Sequence, residues 1–233
     1  MESQTQKTKR GYVTSFLFLE HTPMNCILCH SVLEKPFHIE KQHRFFDCAQ
    51  CGSIVRGIES FPDKNAEKER YEIHINDVND PRYQSFVSPI TQAVQKDFLP
   101  QDSIGLDFGA GTGPVITKVL RDNGYTVNMY DPFFHPDTAV LNQTYDFIAC
   151  CEVIEHFHKP DKEFQLLKSL LKPGGKLYCM TDIFRKPNEF GKWYYKNDPT
   201  HVIFYTEKSL HWIQKEFKFS ELVIENRLIV YSL

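Results

Sequence analysis

The stretch Ile104-Gly-Leu-Asp-Phe-Gly-Ala-Gly-Thr-Gly113 decides the fold. Ser103 to Phe108 is short and apolar, as a buried strand is. Residues Pro114 to Asn123 then take up helical patterning, with Pro114 at a tolerated first-turn position and Gly124 as the stop. A strand that runs through glycines into a helix lets the backbone bend tightly and approach a ligand outside the carboxyl end of the strand. The spacing Gly109, Gly111, Gly113 is G-x-G-x-G, whereas dinucleotide sites use G-x-G-x-x-G. Asp107, two places before the first glycine, would repel a pyrophosphate. It suits a ligand that carries an ammonium group and no phosphate.

Outward from the loop, Tyr125 to Tyr130 reads as a second strand. It ends at Asp131, 18 residues after Gly113. A carboxylate there can accept hydrogen bonds from both hydroxyls of a ribose. An adenosine with an amino-acid tail meets both conditions. The plainer reading is a glycine turn for close helix packing, with Asp131 as a strand-end cap. Further on, Tyr145 to Cys151 and Lys176 to Thr181 read as strands, and Asp161 to Leu171 and Thr206 to Phe217 as helices. Ser220 to Glu225 and Arg227 to Ser232 read as a closing hairpin. Before the loop, Phe86, Val87, Ile90, Val94 and Phe98 recur at helical spacing over 82–99. Alternating strands and helices predict an α/β domain, a parallel sheet with helices on both faces.

Leu106-Asp-Phe-Gly-Ala-Gly-Thr-Gly113, Asp131, Tyr145-Asp-Phe-Ile, Glu152-Val-Ile-Glu-His156 and Leu171-Lys-Pro-Gly-Gly-Lys-Leu177 together resemble the class I S-adenosylmethionine-dependent methyltransferase superfamily. The resemblance covers about residues 82–233. It implies a Rossmann-like seven-stranded sheet with the last strand antiparallel. It places Gly109, Ala110, Gly111 and Gly113 against the amino-acid tail of S-adenosylmethionine, beside Asp107, and Asp131 on its ribose. Cys151 and Glu152 would flank the methyl group. One departure stands out: only 13 residues separate Asp131 from Tyr145. That is too few for a crossover helix and a strand together, since a parallel crossover takes a dozen or more. We expect the helix to be missing and Thr138 to Leu141 to form a short third strand. Phe133, Phe134 and His135 are adenine candidates by position alone.

The N-terminal part carries a different signal. Cys26-Ile-Leu-Cys29 and Cys48-Ala-Gln-Cys51 are separated by 18 residues, a metal-ligand spacing. Four thiolates suit tetrahedral zinc in a closed, structural site. The pattern looks like a zinc ribbon or a rubredoxin-like pair of knuckles, and iron is the lesser alternative. With four cysteines present, His30 and His43 are not needed as ligands.

Glu152, Glu155 and His156 follow the fourth strand, and His201 lies in the loop after the fifth. Three readings stay open for Glu155, His156 and His201. In the first, a histidine takes a proton from an acceptor hydroxyl. In the second, Glu152, Glu155, His156 and His201 hold a divalent metal, as a similar pattern does in small-RNA 3′-terminal 2′-O-methyltransferases. Or the residues cap turns and pack. Quinone-pathway O-methyltransferases carry a Glu-His at the same place. The aromatic insertion Asp182 to Asn197, with Trp193, Tyr194 and Tyr195, reads as a lid or its core. Tyr71, His74 and Tyr83 precede the first strand, either facing the cofactor or packing the first helix.

The chain has 233 residues, room for one medium domain and a small appendage. The division we expect is a tail at 1–22, a four-cysteine module at 23–62, a linker at 63–81 and the catalytic domain at 82–233. Net charge is −3 and no long basic run occurs, so charge does not point to nucleic acid. No apolar run reaches a membrane span, and paired cysteines without a disulfide framework point to the cytoplasm. The expected activity is methyl transfer to a small-molecule acceptor, oxygen first. An RNA methyltransferase that grips RNA with its zinc module is the rival, and a non-catalytic cofactor-binding scaffold the second.

Overall fold

The structure, a computed structural model, describes residues 23–73 and 77–233. The tail read over 1–22 and His74 lie outside the described residues. The central sheet is built from β6 (Ile104–Phe108), β7 (Thr126–Tyr130), β8 (Tyr145–Cys151), β9 (Leu171–Met180), β11 (Glu221–Glu225) and β12 (Leu228–Ser232), in the order β11-β12-β9-β8-β6-β7. β7, β6, β8 and β9 run parallel, and β12 lies antiparallel to β9, as the α/β reading expects. Among the described residues the sheet has six strands where seven were expected. Thr138 to Leu141 is not a strand: Thr138–Asn142 is a 3₁₀ helix. Asp137 caps it by accepting from Ala139 N at 2.9 Å. A short polar cap that satisfies its own backbone competes with strand pairing, and β7 becomes the sheet edge.

Helices cover both faces. α2 (Pro81–Asp97) and α3 (Val115–Asp122) bury Val87, Ile90, Val94, Ile116 and Leu120 against Val127, Phe147 and Tyr178. α4 (Pro160–Ser169) and α5 (Glu207–Glu216) bury Phe164, Leu167, Leu210 and Ile213 on the other face. Side chains alternate across a strand. Cys150 and Cys179, fully buried register partners, lie on the α4–α5 face as small apolar residues. Thr206 begins α5 with a capping box shared with Ser209. The expected strand over 176–181 starts earlier, at Leu171, and runs through Pro173, Gly174 and Gly175 with an irregular register to β8.

The cysteine segment folds against this domain. β1 (Met24–Asn25) pairs with β2 (Val32–Leu33). β3 (His38–Glu40), β4 (His43–Asp47) and β5 (Ile54–Arg56) form an antiparallel sheet whose fourth strand is β10 (Ile203–Phe204), supplied from beyond β9. Residues 63–81, read as a linker, contain α1 (Lys64–Glu72), capped by Asp63, which accepts from Asn65 N and Ala66 N at 2.9 Å. The aromatic insertion is packed rather than extended. Phe184, Phe190 and Tyr195 join Phe45, Ile54 and Phe204 in one buried cluster, while Tyr194 is exposed.

Candidate active site

The glycine loop leaves β6 with Gly109 N and Ala110 N donating to Tyr130 O, at 2.8 and 3.2 Å. Gly109 has φ +81, and a Cβ there would sit 2.4 Å from Val153 Cγ2. Glycine is therefore required twice, by conformation and by space. Gly111, at φ +62, would place a Cβ in open space with nothing within 4 Å. The loop thus presents a bare, open backbone at the carboxyl end of the sheet.

Asp131, buried at the end of β7, ties the loop down. Its Oδ2 accepts from Gly111 N at 3.0 Å, and its Oδ1 from Phe133 N and Phe134 N at 2.8 and 3.1 Å. A carboxylate offers about four acceptor sites, so three are already engaged. Asp107 turns another way. Its Oδ2 accepts from Thr117 N at 3.2 Å and Thr117 Oγ1 at 2.8 Å, inside the first turns of α3. Full burial pushes its carboxyl up to about 6, against those hydrogen bonds. Asp107 therefore braces the strand–helix turn, a role that spacing alone did not reveal.

The residues after β8 gather tightly. Glu152 sits at φ +52, a strained setting for a side chain. Its Oε1 accepts from Arg227 Nη2 at 2.6 Å and its Oε2 from the Tyr195 hydroxyl at 3.1 Å. Glu155 is fully buried; its Oε1 also accepts from the Tyr195 hydroxyl, and its Oε2 has no hydrogen-bond partner. Burial and the charge of Glu155 push Glu152 up to about 7, and burial pushes Glu155 up to about 7 against its bond to Tyr195. One tyrosine hydrogen serves one carboxylate at a time, so near neutrality this pair favours holding a proton. Cys151, beside them, is part-buried and its thiol is pushed well up by burial.

His156 Nδ1 lies 3.0 Å from Thr200 O, and His201 Nδ1 lies 2.8 Å from Tyr195 O. A carbonyl only accepts, so both Nδ1 atoms carry hydrogen and both Nε2 atoms keep a lone pair. Those lone pairs lie 3.9 and 4.0 Å from Glu155 Oε1. Burial lowers both imidazoles; His201 falls to about 3, from burial and then the neighbouring His156. Glu155, His156 and His201 form a group whose ligand atoms all lie within 4.8 Å of one another. Glu152, expected with them, lies outside this group and pairs with Arg227. Tyr71 edges onto the His156 ring at 5.3 Å and lies 5.8 Å from Phe133. Tyr83 packs, part-buried, with the α2–α3 core. Arg227 and Thr181, whose hydroxyl lies 2.9 Å from the Tyr195 hydroxyl, belong to no sequence motif, and Tyr195 stands out in the sequence only as an aromatic of the insertion.

The four cysteines also converge. Cys26 Sγ and Cys51 Sγ are 3.6 Å apart, Cys29 Sγ and Cys48 Sγ 3.4 Å. A tetrahedron with Zn–S bonds of about 2.3 Å has edges of about 3.8 Å, so the thiols fit a zinc module. Gly52 takes φ +80 after the last cysteine, and its N–H returns to Cys48 O at 2.7 Å. Among the described residues no helix is long and apolar enough to cross a membrane.

Comparison with known proteins agrees with this architecture. The family model described as a methyltransferase domain matches residues 81–222. The ubiquinone biosynthesis O-methyltransferase of Pectobacterium atrosepticum is 30% identical over 80 residues, covering 34% of this chain and 33% of that protein. Its counterpart from Cereibacter sphaeroides is 30% identical over 92 residues, covering 40% and 36%. The chain thus spans about a third of the length of these curated relatives. Among solved structures, the Burkholderia thailandensis 1,6-didemethyltoxoflavin-N1-methyltransferase, with S-adenosylhomocysteine bound, superposes with a TM-score of 0.50 at 15% identity, covering 84% of this chain and 98% of that one. An O-methyltransferase family protein from the same organism gives 0.50 at 14% identity, covering 71% and 61%. At these identities the likeness is one of fold.

Proposed function

The chain belongs to the methyltransferase-domain family, and from that premise we propose that it transfers a methyl group from S-adenosylmethionine to an oxygen of a small-molecule acceptor. The observation that carries this reading is the convergence of two imidazole lone pairs on Glu155, next to the open glycine loop. When bound, S-adenosylmethionine supplies a methyl group on a positively charged sulfur. The backbone of Gly109 to Gly113 would cradle its amino-acid tail, and Asp131 would take a ribose hydroxyl on its remaining acceptor site.

His156 is the proton acceptor. Its Nδ1–H bond to Thr200 O fixes the ring with Nε2 toward Glu155, and burial keeps it neutral. As the acceptor oxygen takes the methyl group, its proton passes to Nε2, and Glu155 and His201 face the imidazolium that forms. Positioned general bases contribute about 10²–10⁴-fold. The unpartnered Glu155 Oε2 favours a second reading of the same cluster, in which Glu155, His156 and His201 hold a divalent cation that polarises the acceptor oxygen. The four cysteines hold a structural zinc, and their reduced state suits the cytoplasm. The O-methyltransferase relatives and the net charge of −3 support a small acceptor over RNA.

The test incubates the protein with a cell extract and S-adenosylmethionine carrying a tritiated methyl group. Label in small molecules, reduced about 10²-fold or more in His156→Ala, is the expected result. Label in a nuclease-sensitive polymer would overturn the acceptor class. Binding of Mn²⁺, followed by its spin resonance and lost in His201→Ala, would select the cation over the base.

A further inference from the structure

Arg56 ends β5 of the cysteine module and is 2% exposed. Its Nε donates to His201 O at 2.8 Å, and its Nη2 to Lys196 O and Asp198 O, both at 2.7 Å. The guanidinium also lies 5.1 Å over the Phe45 ring. A charge this deeply buried is costly, and burial lowers its pKa to about 10. An apolar side chain would pack the same space without that cost. What the guanidinium does instead is hold three carbonyls of one segment, 196–201.

That segment, with Tyr195 immediately before it, carries the partners of the two histidines. Tyr195 O fixes His201 and Thr200 O fixes His156. Two more straps reach it from the N-terminal residues. Lys196, buried, donates to Glu40, and Arg70 pairs with Asp198 Oδ2 at 2.6 Å. The backbone continues the link: Arg56 N donates to Val202 O at 2.9 Å, and Val202 N to Glu155 O at 3.0 Å. At its other end β5 begins beside Ser53, whose hydroxyl lies 3.1 Å from Cys51 Sγ and 3.5 Å from Cys26 Sγ.

We propose that Arg56 is a positioning residue: it locks segment 196–201 so that both imidazoles present Nε2 toward Glu155, and so makes the cysteine module part of the active site. The inference rests on the proposed role of that cluster for its catalytic meaning, but the coupling itself is a matter of geometry. Arg56→Gln and Arg56→Lys test it in the full chain. Zinc content is measured by elemental analysis and S-adenosylhomocysteine binding by calorimetry. Solvent exchange of the His201 ring Nδ1–H is followed by nitrogen-edited NMR, a signal that a role in packing alone would not move.

Both variants should keep about one zinc per chain and bind S-adenosylhomocysteine within roughly threefold of the parent. Exchange of the His201 ring N–H should rise at least about tenfold in Arg56→Gln, because the segment on either side of the bond, from Lys196 O to His201 O, is no longer held. It should rise less in Arg56→Lys, whose single ammonium reaches fewer of the three carbonyls. An unchanged exchange rate in the folded, zinc-loaded variant overturns the proposal. So does joint loss of zinc and cofactor binding, which would make Arg56 general fold support. If Arg56→Gln does not fold, the same readouts on Arg56→Lys decide. Faster exchange in Arg56→Gln with full methyl transfer by His201→Ala would leave the coupling standing and remove the catalytic reading of the cluster.

Discussion

Replacing Asp131 by alanine separates a ligand-binding carboxylate from one that only shapes a loop. The carboxylate accepts three backbone N–H groups, so one acceptor site is left for a ribose hydroxyl. A hydrogen bond to a charged group contributes about 1.5–3 kcal/mol net. At 1.4 kcal/mol per tenfold, its loss weakens S-adenosylhomocysteine binding by roughly 10- to 150-fold. A second hydroxyl bonds only if Phe134 N, the longest of the three contacts at 3.1 Å, gives way, so it adds little. Loosening of Gly111 also costs affinity, so a simple drop is ambiguous. A cycle with the 2′-deoxy ligand resolves it. By calorimetry, removing the ribose 2′-hydroxyl should cost the parent at least about tenfold and Asp131→Ala almost nothing. Equal losses in both proteins would refute a contact between Asp131 and the ribose.

Three other outcomes are expected. Elemental analysis should find about one zinc per chain, and Cys51→Ser should release it and lower the melting temperature; a zinc-free parent that melts cooperatively would remove the zinc site. Gly109→Ala forces a left-handed alanine and a Cβ 2.4 Å from Val153 Cγ2. It should cost about 1–3 kcal/mol, and added Val153→Ala should recover part of the loss, whereas no recovery would exclude the steric account. Asp107, raised to about 6 from 3.8, gives stability that is complete below pH 3.8 and lost as pH rises through 6. Asp107→Asn can still accept from Thr117, so in urea unfolding it should gain on the parent by about 2 kcal/mol between pH 4 and pH 8; a pH-independent difference would contradict the burial.

What the sequence disclosed was local. The glycine loop, Asp131 and the paired cysteines each sit within one short run or at one fixed spacing, so their geometry follows from chain connectivity. The helix α1 escaped because Lys64-Asn-Ala-Glu-Lys-Glu-Arg-Tyr-Glu72 has no apolar stripe to give a 3.6-residue period; only its Asp63 cap marks it. The contact of Asp107 Oδ2 with Thr117, ten residues on across a turn, is not visible from the spacing of the glycines. The pairing of Arg227 with Glu152 and the reach of Arg56 to 196–201 are products of tertiary packing across 75 and more than 140 residues. No window of sequence contains both partners.

The shared sheet has a consequence for how the chain is made. β5 pairs with β10, Val55 opposite Ile203, about 150 residues later in sequence. At roughly 5–20 residues per second of synthesis, the cysteine segment leaves the ribosome some 7–30 seconds before its last strand does. During that interval the hydrogen-bonding edge of β5 is bare, a template for wrong partners. Early capture of a metal ion by the two knuckles would hold the segment in shape while it waits for that strand.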